Sequence, residues 1–496
     1  MSNRMTSSPG RGGLSKFYTS LRKAAYCRAI SGRGKCRLER RTQLRHEFFF
    51  DHALLPSGWA SDVRIAVAGG TIFAVDEGAT RAGADHIAGI AVPGLPNLHC
   101  HAFQRGIAGL AERRGPTNDT FWSWREVMYH FLGVLDPDDV ETIAAFAYME
   151  MLEAGFTCVG EFHYLHHDVD GRPFTDLGEM AARITAAAKR TGIGLTLLPS
   201  FYAYGGFGEA EPGSGQKRFL NDPERFSRLV ERSRAIMAEL QYGRVGIAPH
   251  SLRAVTPQAL RAVVASQPDG PIHIHAAEQV REVEECIASL GSPPVQWLLD
   301  NFAVDRRWCL IHCTHMTPDE THRLAASGAV AGLCPTTEAN LGDGIFRASV
   351  YLADGGIYGV GTDSNVQIDA AAELRQLEYS QRLHHRSRNV LARCEGESTG
   401  HRLYTAALTG GAQALSQPIG AIEPNGRADI VVLDADHPDL ATGSGHWLDS
   451  FLFVGGRRLI GSVIAGGEIV VESGRHRQHE AISAAYRRTI TRLVRS

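Results

Sequence analysis

Pro93-Gly94-Leu95-Pro96-Asn97-Leu98-His99-Cys100-His101 carries two histidines at i and i+2 on an extended segment. Side chains two apart on such a segment project to the same side. Both imidazoles can then reach one metal ion, which neutral histidine nitrogens bind well. A lone H-x-H motif is weak evidence, because surface and core histidines are common. Its position behind a Pro-Gly turn, just after the apolar run Ile90–Val92, raises its weight.

Working outward, short apolar runs alternate with helical patterns, as they do in βα units that build a parallel sheet. The clearest helix runs from Asp138 to Ala154, with Asp139 near its start and Gly155 at its end as cap signals. Further helices are expected over Glu373 to His385 and Arg402 to Leu415. Strands are expected at Ile90–Val92, Cys158–Phe162, Gly194–Pro199, Val245–Ala248, Ile272–His275, Trp308–His312, Val330–Leu333 and Tyr358–Gly361. That set makes an α/β fold of the (β/α)8 barrel type. Each strand runs into polar or ionisable residues: His99 and His101, Glu161 and His163, His250, His275 and Glu278, His312, Thr336 and Glu338, and Asp363. In such a barrel the C-terminal strand ends form the catalytic face.

The barrel is expected over residues 93–417. On either side, alternating runs interrupted by Gly-Gly turns, Ser61 to Val75 and Leu459 to Val471, join Ala428 to Leu433 as β-rich pieces. They predict one small β-sandwich domain assembled from residues 47–92 and 418–476. Residues 477–496 read as a solvated basic helix. Residues 1–46 hold twelve Lys or Arg against the single acid Glu39 and are expected to be a disordered basic leader. Their local balance of +11 against a whole-chain charge of −3 leaves about −14 for the rest. An acidic body argues against a nucleic-acid partner. No apolar run approaches the ~20 residues of a membrane span. Nine scattered cysteines without a C-x-x-C pair suit free thiols in a reducing cytoplasm.

The metal-ligand candidates extend beyond the first motif. Ile272-His273-Ile274-His275-Ala276-Ala277-Glu278 offers His275, last in its strand and nearer the mouth than His273. Gly361-Thr362-Asp363-Ser364-Asn365 adds a carboxylate, and Ile311-His312-Cys313 another histidine. Taken singly, His312 reads as a core histidine and Asp363 as a helix N-cap. Taken together in barrel order, they suit a divalent ion, Zn²⁺ by ligand type.

The array PGLPNLHCHAFQR, HIHAAEQ, LIHCTHM and GTDSN resembles the amidohydrolase superfamily from about Phe48 to Val471. The runs FWSWREVMY, GEFHYLHH, APHSLRAV and CPTTEANLGDG resemble more narrowly its formiminoglutamate deiminase branch, which lacks the basic leader. That resemblance implies one zinc ion held by His99, His101, His275 and Asp363. It implies that Asp363 takes a proton from water, that His312 orients the water, and that Glu278 passes a proton to the departing nitrogen. It places Gln104, Arg125, Tyr164, His250 and Arg253 around a small dicarboxylate substrate, with Trp122 and Trp124 as wall or core. Two guanidiniums suit carboxylates, although Arg125 also reads as a surface ion pair and Tyr164 as packing. The products would be N-formyl-L-glutamate and ammonia, in histidine degradation, and the assembly a homodimer. Two rivals remain: an aminohydrolase acting on a purine, pyrimidine or triazine ring, and an inactive barrel used as a binding scaffold.

Overall fold

The computed structural model of the protein describes residues 45–115 and 118–495. The expected leader therefore lies outside the described residues, except that its last two positions belong to a strand, Arg45–Leu55. Two sheets organise the chain.

The larger sheet is the barrel. Its strands in chain order are Leu95–Cys100, Phe156–His163, Gly194–Phe201, a fourth in two pieces at Arg244–Val245 and Ala248–Pro249, Ile272–Ala276, Trp308–His312, Val330–Leu333 and Ile357–Val360. Neighbours pair in parallel in the order 4-3-2-1-8-7-6-5. The ring closes between the fourth and fifth strands through bridges Ile247↔Ile272 and Ser251↔His275. The broken fourth strand explains why periodicity alone places it poorly.

One expected barrel strand belongs elsewhere. Ile90–Pro93 lies in the small sheet, antiparallel to Ile430–Leu433 and parallel to Arg45–Leu55. The chain crosses between sheets at Gly94, where any Cβ would run into the Thr157 side chain. The first barrel strand is the quoted stretch itself, and Pro96 sits where its register with the second strand shifts. Proline lacks the amide a ladder needs, so it is accommodated at such an irregularity.

The small sheet joins the two ends of the chain: Arg45–Leu55, Gly58–Ala68, Thr71–Asp76 and Ile90–Pro93 with Ile430–Leu433, Ile460–Ala465 and Glu468–Glu472. Turns at Gly69-Gly70 and Gly466-Gly467 have the positive φ their strands require. Arg475 pairs with Glu472 in a short strand at the end of the small sheet, and the terminal helix follows it. The helix runs over His479–Leu493 and docks on Pro137–Glu153 rather than standing free. Tyr486 stacks on Phe146 at 3.9 Å and its hydroxyl donates to the Arg105 carbonyl at 3.0 Å.

Helix caps account for several boundaries. In Pro137–Glu153 the N-cap is Asp136, not Asp139; Asp139 completes a reciprocal capping box with it. The helices expected from Glu373 and Arg402 each begin one turn or less earlier, at Ala370 and Thr399, capped by Asp369 and Ser398.

Helix Thr399–Leu415 closes the base of the barrel. Gly411 lets it approach Pro96, whose Cβ would stand 2.7 Å from an added side chain. A methyl at Gly410 would meet the Tyr358 carbonyl of the eighth strand. The helix's last carbonyls, which lack intrahelical donors, accept from barrel side chains: Thr196 Oγ1 to Leu415 at 2.8 Å and His273 Nε2 to Ala414 at 2.8 Å. A buried cluster of Leu98, Cys309, Ile311 and Cys334 packs against Ala414 and Leu415. Every cysteine among the described residues is free. No described helix is long and apolar enough to cross a membrane.

Gly410→Ala is expected to lower stability by about 3 kcal/mol or to abolish folding, because the clash is with backbone that cannot yield. A shift of the urea midpoint against wild type checks this.

Candidate active site

Four side chains meet at the C-terminal mouth of the barrel. His99 Nε2 lies 3.2 Å from His275 Nε2 and 3.4 Å from Asp363 Oδ1, which is 3.3 Å from His101 Nε2. Two nitrogens each about 2.05 Å from a tetrahedral ion stand about 3.4 Å apart, so these separations fit a single divalent ion. Protonation agrees. His101 Nδ1 donates to the Phe162 carbonyl and His275 Nδ1 to the His250 carbonyl, both at 2.8 Å. Carbonyls only accept, so Nδ1 holds the proton and Nε2 presents its lone pair. Burial pushes His99 down to about 3 and lowers His101 and His275, keeping all three neutral. Burial opposes the charge on Asp363, yet the hydrogen bond with His99 and the charge of the nearby His312 hold it well below the usual carboxylate range.

The backbone that aims these groups is stitched by a buried amide-hydroxyl network. Asn97 Nδ2 donates to Thr362 Oγ1 at 2.7 Å, and the Thr362 amide donates back to Asn97 Oδ1 at 3.1 Å. Thr362 Oγ1 donates to Asn365 Oδ1 at 2.6 Å, whose Nδ2 reaches the His101 and Asp363 carbonyls at 3.1 and 3.0 Å. The first and eighth strands are thereby locked in register. Ala277, His312, Asp363 and Asn365 all have positive φ, between 43° and 72°. Such conformations cost a non-glycine residue free energy and cluster at functional sites. Ile311 belongs to the apolar cluster below; regular alternation would send its neighbour to the opposite face. At φ 72° the chain leaves the strand and turns the His312 ring into the cavity. Asp363 is not the N-cap that its position allowed; the nearest helix is capped by Asp369.

Around this cluster sits a charged relay. Glu278 Oε1 is 3.7 Å from His312 Nε2, and its Oε2 is 3.8 Å from an Arg253 nitrogen. His312 Nε2 is 3.9 Å from Asp363 Oδ2, and its Nδ1 is 3.3 Å from Glu338 Oε1. Burial lowers the His312 imidazole, but Glu278, Glu338 and Asp363 outweigh it and hold it at about 10. Burial raises Glu278 to about 7, against the pull of His312 and Arg253. That value suits a group that gains and loses a proton near neutral pH.

Gln104, Arg125, Tyr164, His250 and Arg253 all line the same cavity, as do His101, His275, Glu278, His312 and Asp363. Gln104 Nε2 donates to the Tyr164 hydroxyl at 2.8 Å. The Nε of Arg125 and of Arg253 are buried without a hydrogen-bond partner, as expected for groups built to meet a ligand. Arg125 has no ion pair among the described residues; it stacks on Trp122 at 4.5 Å. Trp124 walls the cavity, whereas Trp122 lies outside it. His273, two residues before His275, spends its Nε2 on the Ala414 carbonyl at the barrel base.

Other residues at the cavity were not read from the sequence. Tyr129 follows Arg125 by one turn of helix Phe121–Leu132, so helical spacing could have found it. Tyr202 stands just past the end of the third strand, where the strand-end rule applies. Phe219 is delivered by the 3₁₀ turn Ser214–Phe219 and has no local signal. Asp343 lies with Glu278 and His312 in one buried group, and burial together with Glu278 pushes it up to about 9.

A closed parallel barrel with a divalent-ion ligand cluster at its mouth defines a metal-dependent hydrolase of the amidohydrolase class. The amidohydrolase family matches residues 90–470, and the N-terminal domain of formimidoylglutamate deiminase HutF matches residues 47–89. A formimidoylglutamate deiminase of Pseudomonas aeruginosa is 49% identical over 449 residues, covering 90% of this chain and 99% of that protein. The crystal structure of an amidohydrolase from Brucella melitensis is 51% identical, with a TM-score of 0.87 over 90% of this chain and 100% of that one. An adenosine deaminase from Xanthomonas campestris, 22% identical, shares the fold at a TM-score of 0.76, covering 91% of this chain and 98% of that one. The chain belongs to the amidohydrolase family, on its formimidoylglutamate deiminase branch.

His275→Ala is expected to abolish stoichiometric metal binding, while His273→Ala keeps the ion and lowers stability by about 1–3 kcal/mol through the unsatisfied Ala414 carbonyl. Elemental analysis and urea denaturation on the same preparations separate the two.

Proposed function

We propose that the protein hydrolyses N-formimidoyl-L-glutamate to N-formyl-L-glutamate and ammonia, a step of histidine degradation. The observation that carries this reading is the pair of guanidiniums, Arg125 and Arg253, on one wall of a cavity whose floor is the ligand cluster. Two such groups match the two carboxylates of an acyclic dicarboxylate, each able to form a bidentate pair. His250, Tyr164 and Gln104 then orient the backbone of the substrate and point its formimidoyl carbon at the floor. Identity to the Pseudomonas aeruginosa protein over nearly its whole length supports the same substrate.

His99, His101, His275 and Asp363 would hold the ion, and three nitrogens with one carboxylate oxygen favour zinc. A divalent ion there supplies the Lewis acidity that makes water nucleophilic near neutral pH. The chain's own groups handle the protons. Ionised Asp363 accepts one from the attacking water. Glu278, held near neutrality between His312 and Arg253, passes a proton to the nitrogen that leaves. Cationic His312 stabilises the carboxylates on either side of it and orients the water. Overall one C=N bond and water give one C=O bond and ammonia. The resemblance implies a homodimer, and the free cysteines suit a reducing cytoplasm.

The ring aminohydrolases are the second reading, favoured by the aromatic side chains Phe121, Tyr129, Tyr202 and Phe219 that share the cavity. Ammonia release measured from formimidoylglutamate against guanine, adenosine and cytosine, with metal content on the same preparation, decides between them. Turnover of formimidoylglutamate alone is expected; rapid turnover of a ring with none of formimidoylglutamate rejects the substrate while leaving the class intact.

Arg253→Ala should raise KM for the dicarboxylate by about tenfold or more, and unchanged kinetics would remove it from the substrate's contacts. Glu278→Gln should instead lower kcat by about 10²–10⁴ with the metal retained. A fully active variant would refute its part in proton transfer.

A further inference from the structure

The mouth of the barrel holds a second hollow on the outer side of Arg125, Tyr202 and Arg253. Those three residues line both hollows, so they form the wall between them. Adjacent residues at the start of helix Phe121–Leu132 take opposite sides: Phe121 faces the catalytic cavity and Trp122 the outer hollow, their rings edge-on at 5.2 Å.

Trp122 gathers positive charge. Arg125 stands 4.5 Å from its ring, Arg281 also 4.5 Å, and Arg253 5.9 Å. Arg281 comes from a different element, helix Val280–Leu290, and its side chain is 62% exposed. Glu285, one turn on, holds its Nε at 2.7 Å and is the one acid among the described residues that lines this hollow. Arg253 is nine-tenths buried, and its Nε lacks a partner. Three guanidiniums around one indole repel each other; Glu285 offsets Arg281 and Glu278, 3.8 Å away on the inner side, offsets Arg253 in part, which leaves the cluster net positive. Low-dielectric walls concentrate the resulting field on whatever enters.

We propose that the outer hollow is an anion-receiving anteroom of the active site, in which Arg281 captures the dicarboxylate and passes it to Arg125 and Arg253 by displacement of Trp122. This rests on the dicarboxylate reading of the substrate. It makes Arg281 a positioning residue that works through charge and sets how fast the ligand arrives. An arriving carboxylate exchanges the cation–π contact of Arg281 for an ion pair, which loosens the Trp122 ring from its outer side. The ligand then meets the unpaired Nε groups on the inner wall.

The test uses the metal-loaded full chain and stopped-flow tryptophan fluorescence, with glutarate and N-formyl-L-glutamate as probes. At low ionic strength, Arg281→Gln should lower the association rate constant about threefold to tenfold, the difference closing near 0.5 M salt as screening removes it. Arg281→Lys should restore most of the rate, and Glu285→Gln should raise it above wild type. Opposite effects of the two glutamine variants distinguish a charge effect from a disturbance of local packing, which would slow both. An association rate in Arg281→Gln equal to wild type at low salt overturns the proposal, as does a fluorescence change that survives Trp122→Phe intact. Failure of the substrate reading shows separately, as absence of ammonia release from formimidoylglutamate by the wild-type enzyme.

Discussion

The first and eighth barrel strands meet through the side chains of Asn97, Thr362 and Asn365, a buried network in which each amide and hydroxyl finds a partner from the other strand or its extension. Satisfied networks of this kind fix a unique register, because any slip leaves buried polar groups unpaired. Two of the four candidate ligands sit on one side of the seam and Asp363 on the other, with the Asp363 amide donating to the His99 carbonyl at 3.0 Å and the His101 amide to the Asp363 carbonyl at 3.0 Å. The spacing that suits one ion is therefore a property of the seam. His275 joins from across the barrel, where the closing bond to the His250 carbonyl sets its height.

Function is layered along the barrel axis. At the base, helix Thr399–Leu415 fills the opening and its terminal carbonyls are satisfied by His273 and Thr196. Three neutral histidines and the ionised Asp363 occupy the next level, and above them come Glu278, raised by burial, and His312, raised by the carboxylates around it. Arginines and aromatic rings form the rim. Two histidines two residues apart on one strand thus have unrelated duties, His273 closing the base and His275 facing the cavity.

Much of the site was legible because its residues obey one local rule, that ionisable side chains stand at or just past the C-terminal ends of apolar strands. His99, His101, His275, Glu278, His312 and Asp363 all do so. The rule assigned no distances, and it misplaced Ile90–Pro93, since a short fully buried apolar run reads the same in a small antiparallel sheet as in a barrel. The terminal helix was read as solvated from its arginines, yet Tyr486 and Ile482 bury one face of it. Charge on one face says nothing about the other.

The sequence by itself determined the alternation of strands and helices, the candidate ligating side chains and the family, because these depend on residue type and near-neighbour spacing. Tertiary structure alone decided that Asp363 stands within 3.4 Å of histidines more than 260 positions earlier, that His312 turns inward on a left-handed backbone, and that Arg281 reaches Trp122 from another helix. Those facts arise from barrel closure and strand register, which bring together residues that no local pattern relates.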